Sequence, residues 1–328
     1  MSSRLSVTFP PHIQETPSIS SMTYGTIAAL IPTMLVGLYY YGLRALFIMV
    51  LSVLTAVIVE AWTQKIMHQK ITVYNGTAAL TGLLLALLLP VGAPWWAVIV
   101  GSAMAIFLGR QVFGGFGGNP FNAVLVGWIV LRLSWPDAVD NYFEITPLFD
   151  GLGTLTPVDV SELPLGLMKY GDSGSVMALY EWWPSLIGAF PGGIGSTSVI
   201  ALLLGGLALV YKRIVPWQIP AGFLGGLFVF SLIFWLFDSG GATYANPIYQ
   251  VIFGYSIIGA FFLAPDVNTS PFTPIGMLIY GAGVGILTMI IRYWGAYQDG
   301  VFFAIMFFNA LTPVLDRIKA KSYGTVKE

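Results

Sequence analysis

The sequence predicts an all-α polytopic membrane protein with about ten transmembrane helices. Only 9% of its 328 residues are charged, against roughly 25% in a typical soluble domain. Hydrophobic residues make up 56% of the chain, the mean hydropathy is +0.80, and the apolar residues form long runs. Because so few charges cannot cover a soluble protein of this size, the composition excludes a cytosolic enzyme, a disordered chain and a nucleic-acid binder.

The apolar runs form ten segments, some of them shorter than the roughly 20 residues that a full span requires. The first 23 residues are polar and lack the features of a cleavable signal peptide. The predicted segments are Tyr24–Tyr40, Leu43–Trp62, Gly76–Leu89, Trp95–Leu108, Phe121–Trp135, Val199–Tyr211, Ile219–Phe237, Pro247–Ala264, Pro274–Ile291 and Val301–Leu315.

The distribution of Lys and Arg predicts the orientation, because cytoplasmic loops carry an excess of positive charge. If all ten segments cross from a cytoplasmic N-terminus, ten of the 14 Lys and Arg residues lie inside and four lie outside. We therefore expect an even number of spans with both termini in the cytoplasm. The predicted parts are a cytoplasmic segment 1–23, a five-helix repeat 24–135, an extracytoplasmic loop 136–190, a second five-helix repeat with its preceding motif 191–318, and a cytoplasmic tail 319–328.

The two five-helix halves are predicted to be inverted repeats. In each half the third segment is short and stops at a proline, Pro90 or Pro265. In each half, Gly- or Pro-rich residues also stand at the entry to a later segment. Five spans per repeat place the second copy upside down, and broken helices at membrane depth must line a cavity or be buried in protein. The alternative is that Gly and Pro are simply common in membrane helices.

Cysteine is absent, and the two histidines, His12 and His68, are far apart. The sequence therefore excludes disulfides, thiolate metal sites and Cys-ligated iron–sulfur clusters, and it predicts no metal site. Any redox chemistry must come from an organic cofactor.

The residues most suited to bind a polar ligand lie in a Gly-rich stretch from Pro191 to Ser198. Gly193 and Gly195 let the backbone approach a ligand, and the hydroxyl residues Ser196, Thr197 and Ser198 precede an apolar helix. N–H groups at a helix start favour an anion such as a phosphate, and the Thr197 hydroxyl could carry one as an ester. The alternative is ordinary capping of the helix by Ser or Thr.

Several stretches together resemble the NqrB/RnfD family of membrane flavoprotein subunits. They are Pro11-His12-Ile13, the run Leu80–Leu87 before Pro90, the turn Gly115–Asn122, and Asp299–Ala304 followed by Asn309. Their order and spacing cover nearly the whole chain. The early Pro11-His12-Ile13 favours the RnfD subunits of Rnf ion-translocating electron transport complexes over NqrB, which has a longer N-terminal region.

The resemblance implies a covalent FMN, bound through its phosphate to Thr197. Ser196 stands where the family often has Glu, which removes a negative charge beside that phosphate. A non-covalent flavin, riboflavin, also occurs among the family's relatives. The resemblance further implies partner subunits that carry iron–sulfur clusters and a second flavin, and a location in the bacterial cytoplasmic (inner) membrane.

Four polar residues near the breaks are candidates for an ion path. Asp266 follows a broken segment and could bind the transported cation or cap the next half-helix, since a buried acid in a membrane protein is a functional candidate. Asn119, Asn122 and Asn309 could line a cavity or bond a neighbouring helix. We expect Glu60 to lie at the membrane interface.

The sequence thus predicts a non-autonomous subunit of an ion-translocating ferredoxin:NAD oxidoreductase complex, carrying FMN on Thr197 and coupling electron transfer to Na⁺ or H⁺ movement. The alternatives are a cofactor-free inverted-repeat channel or secondary transporter, and a scaffold subunit without a flavin.

Overall fold

A computed structural model describes residues 18–145, 156–171, 176, 179–188, 190–238 and 243–318. Most of the predicted N-terminal segment, the C-terminal tail 319–328 and parts of the predicted loop 136–190 lie outside the described residues. The helices are α1 (Ile19–Ile66), α2 (Thr77–Leu88), α3 (Trp95–Phe107), α4 (Ala123–Ser134), α5 (Pro136–Val139), α6 (Pro164–Tyr170), α7 (Trp182–Ile187), α8 (Val199–Tyr211), α9 (Gln218–Phe237), α10 (Pro247–Ile252), α11 (Ser256–Ile258), α12 (Pro274–Trp294) and α13 (Val301–Leu315).

The first helix, α1, is a hairpin of two arms. Gly42 within it has φ 62° and ψ −149°, which is not helical. The Tyr24 hydroxyl donates to the carbonyl of Tyr74 at 3.1 Å, and Gln64 Nε2 donates to the hydroxyl of Thr72 at 2.8 Å. Because both ends of α1 contact the same loop, the chain reverses direction at Gly42. The two arms correspond to the first two predicted segments.

The third predicted segment forms the short helix α2. At about 1.5 Å per residue, its 12 residues reach about 18 Å, which is less than the ~30 Å hydrocarbon core of a bilayer. Ten of the 12 residues are buried, so the helix lies inside the protein, packed against α1, α3 and α4.

The described part of the loop between the halves adds a short β-ribbon to the helical fold. Strands β1 (Tyr142–Phe143) and β2 (Pro157–Val158) pair antiparallel. Helix α6 is tied to the second half by Lys169, whose ammonium donates to the carbonyls of Gly295 at 2.5 Å and Tyr297 at 2.6 Å. Burial lowers the pKa of this ammonium.

The eighth predicted segment is broken into α10, α11 and a π-helix, Gly259–Leu263. Gly254 lies at the break with φ 80°, where a Cβ would collide with a carboxylate oxygen of Asp299. A left-handed backbone in such a crowded position requires glycine, and this requirement fixes the site of the break.

Helices α9 and α12 form the most extensive helix pair of the described chain. A Cβ on Gly226 would lie 2.5 Å from the carbonyl oxygen of Ala282, and one on Gly285 would collide with that of Phe223. Glycines at the contact between the two helices let their backbones touch, as in close helix packing within membranes.

Four described helical stretches are long and apolar enough to cross a membrane: Ile19–Ile66, Trp95–Phe113, Gln218–Phe237 and Pro274–Trp294. Helices α2, α4, α8 and α13 are apolar but shorter. The prediction of a helical, polytopic protein is therefore confirmed, and helices lie at the predicted segments. The number of crossings and the repeat stay predictions.

Candidate functional site

The Gly-rich stretch 191–198 caps the C-terminal end of α2. Helix α2 stops before Pro90, so its last carbonyl groups have no partner within the helix. The N–H of Ile194 donates to the carbonyl of Leu89 at 3.1 Å, and the N–H of Gly195 donates to that of Leu87 at 2.7 Å. These two N–H groups are therefore engaged by the end of α2, whereas the N–H groups that the sequence assigns to an anion are those at the start of α8, after Ser198.

Tyr255 supplies the third partner of this helix end. Its hydroxyl donates to the carbonyl of Leu88 at 2.9 Å, and its backbone N–H donates to the carboxylate of Asp299 at 2.8 Å. The hydroxyl of Tyr142, from β1, lies 3.4 Å from that of Tyr255. Burial raises the pKa of Tyr142 to about 12, so this hydroxyl stays protonated at neutral pH.

The three predicted hydroxyl residues have different surroundings. Thr197 is fully buried, and its hydroxyl donates to the carbonyl of Ile194 at 3.4 Å. Ser198 is the N-cap of α8 and accepts from the N–H of Ala201 at 3.3 Å, as the capping alternative predicts. Ser196 is buried but faces a cavity.

Both predicted site glycines are required by close packing against protein. A Cβ on Gly193 would collide with the hydroxyl of Tyr255, and one on Gly195 would lie 2.6 Å from Cβ of Leu87. The stretch is therefore fitted tightly to the end of α2.

A cavity of about 80 Å³ adjoins Ser196, and we call it the Ser196 cavity. The indole N–H of Trp128 in its wall is buried and has no hydrogen-bond partner among the described residues. Arg132 also lines it and pairs with Asp140. Six aromatic side chains form much of the wall: Trp128, Tyr142, Phe190, Tyr255, Tyr297 and Phe302.

The chemistry of this wall fits the ring of a flavin. Aromatic side chains stack on a planar ring, and an unpaired indole N–H donates to a ring carbonyl. The ester end fits less well in this conformation, because the Thr197 hydroxyl bonds to Ile194 instead of lining the cavity.

A second cavity of about 150 Å³ lies at the N-terminal end of α2. We call it the Arg110 cavity, since Nε of Arg110 is buried there without a partner among the described residues. Three predicted ion-path residues line it: Asp266, Asn119 and Asn122. The fourth, Asn309, is not among the lining residues.

Asp266 is held beside the Arg110 cavity by the hydroxyl of Thr269, which donates to its carboxylate at 3.3 Å. Burial raises the pKa of this carboxyl, while the Arg110 guanidinium lowers it. The N-cap of α12 is Thr273, whose side chain accepts from the N–H of Gly276. The prediction that Asp266 could cap the next half-helix is therefore wrong.

Comparison with known proteins identifies the family. The family model described as "NQR2, RnfD, RnfE family" matches residues 6–324. The chain belongs to this family. It is 38% identical over 324 residues to the subunit designated D of the Na(+)-translocating ferredoxin:NAD(+) oxidoreductase complex of Acetobacterium woodii, covering 98% of this chain and 96% of that protein.

Two further relatives match over nearly the full length of both chains and carry the same subunit designation. One belongs to the proton-translocating ferredoxin:NAD(+) oxidoreductase complex of Clostridium ljungdahlii and is 35% identical, covering 96% of this chain and 95% of that protein. The other belongs to the ion-translocating oxidoreductase complex of Pseudomonas aeruginosa and is 33% identical, covering 96% and 94%. The family and the apolar helices together make the chain a multi-pass membrane protein.

The predicted asparagines of this NQR2, RnfD, RnfE family member join the two halves. Asn122 Nδ2 donates to the carbonyl of Leu263 at 2.9 Å, at the end of the π-helix. The Asn309 amide contacts the hydroxyl of Tyr280 at 2.6 Å and the N–H of Asn122 at 3.1 Å. Asn119 accepts from the amide of Asn268 at 3.2 Å. All three asparagines therefore bond neighbouring segments.

Two buried arginines hold the starts of the broken helices, and sequence reasoning missed both. Arg110, 5% exposed, donates to the hydroxyls of Thr77 at 3.1 Å and Thr81 at 2.7 Å in the first turns of α2. It also lies 3.4 Å from the carboxylate of Glu60, which is 1% exposed. The prediction that Glu60 lies at the interface is wrong, because this carboxylate neutralises Arg110 inside the protein.

Arg292 makes similar contacts in the second half. It donates to the hydroxyl of Ser256 at 2.8 Å and to the carbonyl of Gln250 at 2.5 Å, on either side of the break between α10 and α11. Its acidic partner is Asp299, at 3.1 Å. The signal that could have found both residues is an arginine within two residues after the end of the predicted fourth segment of each half, Trp95–Leu108 or Pro274–Ile291.

We expect Arg110→Gln to lower the free energy of unfolding by about 3–5 kcal/mol, because it leaves the Glu60 carboxylate buried without a counter-charge. The double variant Glu60→Gln/Arg110→Gln should recover most of this loss. The measurement is thermal unfolding of the detergent-purified protein, with the exposed Arg44→Gln as a matched control. A double variant no more stable than Arg110→Gln would contradict the pairing.

Proposed function

We propose that the chain is an electron-carrying subunit of an ion-translocating ferredoxin:NAD oxidoreductase complex of the Rnf type. The supporting observation is the match to subunits of such complexes over nearly the full length of both chains. Two of these relatives are named for Na⁺ and for proton translocation respectively. Because the chain has no cysteine, partner subunits must supply the iron–sulfur clusters, and one of them the second flavin.

Within this complex the chain's part is to hold FMN as an ester on Thr197, with its ring in the Ser196 cavity. The resemblance of the Gly-rich stretch supports the attachment, and the aromatic wall with the unpaired indole of Trp128 supports the ring position. The redox chemistry belongs to the flavin, while the protein supplies placement and surroundings.

Intact mass spectrometry of the protein, from cells that possess a flavin-attaching enzyme, should show one added FMN. Thr197→Val should have the bare mass, because it removes the hydroxyl that forms the ester. The matched control is Ser196→Ala, which should keep the flavin. A bare wild-type chain would favour the transporter or the scaffold subunit.

We further propose that the Arg110 cavity holds the non-covalent flavin, riboflavin. The cavity offers amides from Asn119 and Asn268 and the unpaired Nε–H of Arg110. These donors and acceptors suit the polar edge of an isoalloxazine ring, and the rest of the wall is largely apolar.

Denaturing the purified protein should release riboflavin, whereas FMN should stay on the chain. Asn119→Ala should lose most of the released riboflavin, because this side chain lies in the cavity wall. Asn246→Ala is the control, since Asn246 caps α10 and does not line the cavity. Equal riboflavin release from both variants would contradict the proposal that riboflavin binds in this cavity.

We propose ten crossings in two inverted five-helix repeats, in the bacterial inner membrane with both termini cytoplasmic. The arrangement of the broken helices supports the repeat. Each half has a buried arginine at the start of its broken helix, and each broken helix ends on a side chain from the other half, Tyr255 or Asn122.

The cysteine-free chain allows a direct topology test with single cysteines and an impermeant maleimide. Ser161→Cys, in the loop between the halves, should label from outside intact cells. Lys212→Cys, after α8, should label only once the membrane is opened. Both positions are exposed. Labelling of Lys212→Cys in intact cells would overturn the ten-span arrangement.

A further inference from the structure

A groove of about 470 Å³ lies where the loop between α8 and α9 meets the start of α12. This volume is within the range of about 300–1,000 Å³ that is typical of ligand sites, and it is larger than the Ser196 and Arg110 cavities. All of the lining residues are apolar except Arg213 and Ser270. We call this opening the Arg213 groove.

The groove lies at the beginning of two stretches that are long and apolar enough to cross a membrane. Trp217 directly precedes α9, and Phe272 lies just before α12. Both aromatic side chains line the groove and are largely exposed, Trp217 by 59% and Phe272 by 74%. Tryptophan is enriched at the membrane–water interface. These positions place the groove at the end of two spans, where lipid headgroups lie.

Two consecutive basic residues, Lys212 and Arg213, follow α8 at this end of the protein, and Arg213 lines the groove. Both residues are exposed, and within the described ranges the salt bridges join other residues. The carboxylate of Asp316 also reaches the groove wall, where it accepts from the N–H of Phe272 at 2.9 Å. The two basic side chains are therefore available to an anionic ligand.

Arg213 occupies a backbone position that normally belongs to glycine. Its φ is 57°, its N–H donates to the carbonyl of Val210 at 3.0 Å, and the N–H of Ile214 donates to that of Leu209 at 3.0 Å. Helices that end with these two bonds usually have glycine at this place, because other residues rarely adopt a left-handed conformation. The backbone therefore does not account for an arginine here, whereas a role for its side chain does.

We propose that the Arg213 groove binds an anionic phospholipid, of which phosphatidylglycerol is the simplest probe. The phosphate lies at the Arg213 guanidinium, and Lys212 adds a second positive charge beside it. The upper parts of the acyl chains pack against the apolar wall, and the hydroxyl of Ser270 is the other polar group of that wall. Basic pockets between spans select anionic headgroups in this way.

The lipid site adjoins the Arg110 cavity. Five residues line both openings: Met22, Ile214, Val215, Pro265 and Val267. A lipid in the groove therefore packs against residues that enclose the Arg110 cavity on this side. The proposal does not depend on a flavin, because the described residues supply the charges and the apolar wall.

Native mass spectrometry of the full-length protein tests the proposal. The protein in detergent is titrated with phosphatidylglycerol or with phosphatidylethanolamine of the same acyl chains. One phosphatidylglycerol should bind about 25-fold more tightly, because each of the two basic residues contributes about fivefold, the equivalent of about 1 kcal/mol. Equal affinity for the two lipids overturns the proposal.

Arg213→Gly separates the side chain from the backbone. Its affinity for phosphatidylglycerol should fall about fivefold with the loss of one charge. Without lipid, its unfolding temperature should equal or exceed that of the wild type, since glycine suits the left-handed position. Arg44→Gln is the control, because Arg44 is also exposed but does not line the groove. An Arg213→Gly protein with wild-type affinity overturns the proposal.

A second pair of variants tests the apolar wall at constant charge. Val267→Trp should fill the groove and lose the bound phosphatidylglycerol at concentrations that saturate the wild type. Val229→Trp is the matched control, because Val229 is 54% exposed, against 52% for Val267, and lies on α9 outside the groove. Wild-type affinity in Val267→Trp would mean that the lipid contacts surface charge alone, and it would overturn the groove as the site.

Discussion

The C-terminal end of α2 is the constraint on which the rest of the structure depends. A helix that stops inside a membrane protein exposes carbonyl groups that neither water nor lipid can satisfy, each at a cost of several kcal/mol. Here the carbonyls of residues 87–89 are met by Gly195, Tyr255 and Ile194. These partners come from the second half of the chain, so the first half cannot complete its own third segment. The break in one half thereby fixes how the two halves dock.

At the opposite ends of the broken helices, buried charges are likewise satisfied by partners within the protein. Arg110 and Arg292 each bond the start of a broken helix, and each has an acid beside it, Glu60 or Asp299. A buried guanidinium is tolerated only when it is paired and hydrogen-bonded. The arginines therefore stabilise the breaks while adding no net charge to the interior. They also place a polar cavity at the start of α2, beside Asp266.

Composition and apolar patterning were sufficient to predict the helical membrane class, and prolines marked the ends of the broken segments at Pro90 and Pro265. The break at Gly254, inside the predicted eighth segment, was not predicted. The site was only partly predictable. The sequence singled out the stretch around Thr197 as a candidate site but could not show that Ile194 and Gly195 cap α2, because the carbonyls that they meet come from over 100 residues earlier in the chain. Glu60 was misplaced for the same reason, since its partner Arg110 lies 50 residues away. Long-range pairing of this kind leaves no local pattern.

The position of α2 gives a physical route by which the two proposed flavin sites can influence each other. Any such influence requires protein contacts that connect the two sites. The stretch that contains Thr197 contacts α2 directly, because Ile194 and Gly195 cap this helix. Helix α2 in turn ends on Arg110, whose bonds to Thr77 and Thr81 form one wall of the second cavity. Between these two ends α2 is packed in protein, with ten of its 12 residues buried. Helix α2 therefore lies between the two cavities: its own residues line the Arg110 cavity, and its C-terminal end is capped by the stretch that adjoins the Ser196 cavity.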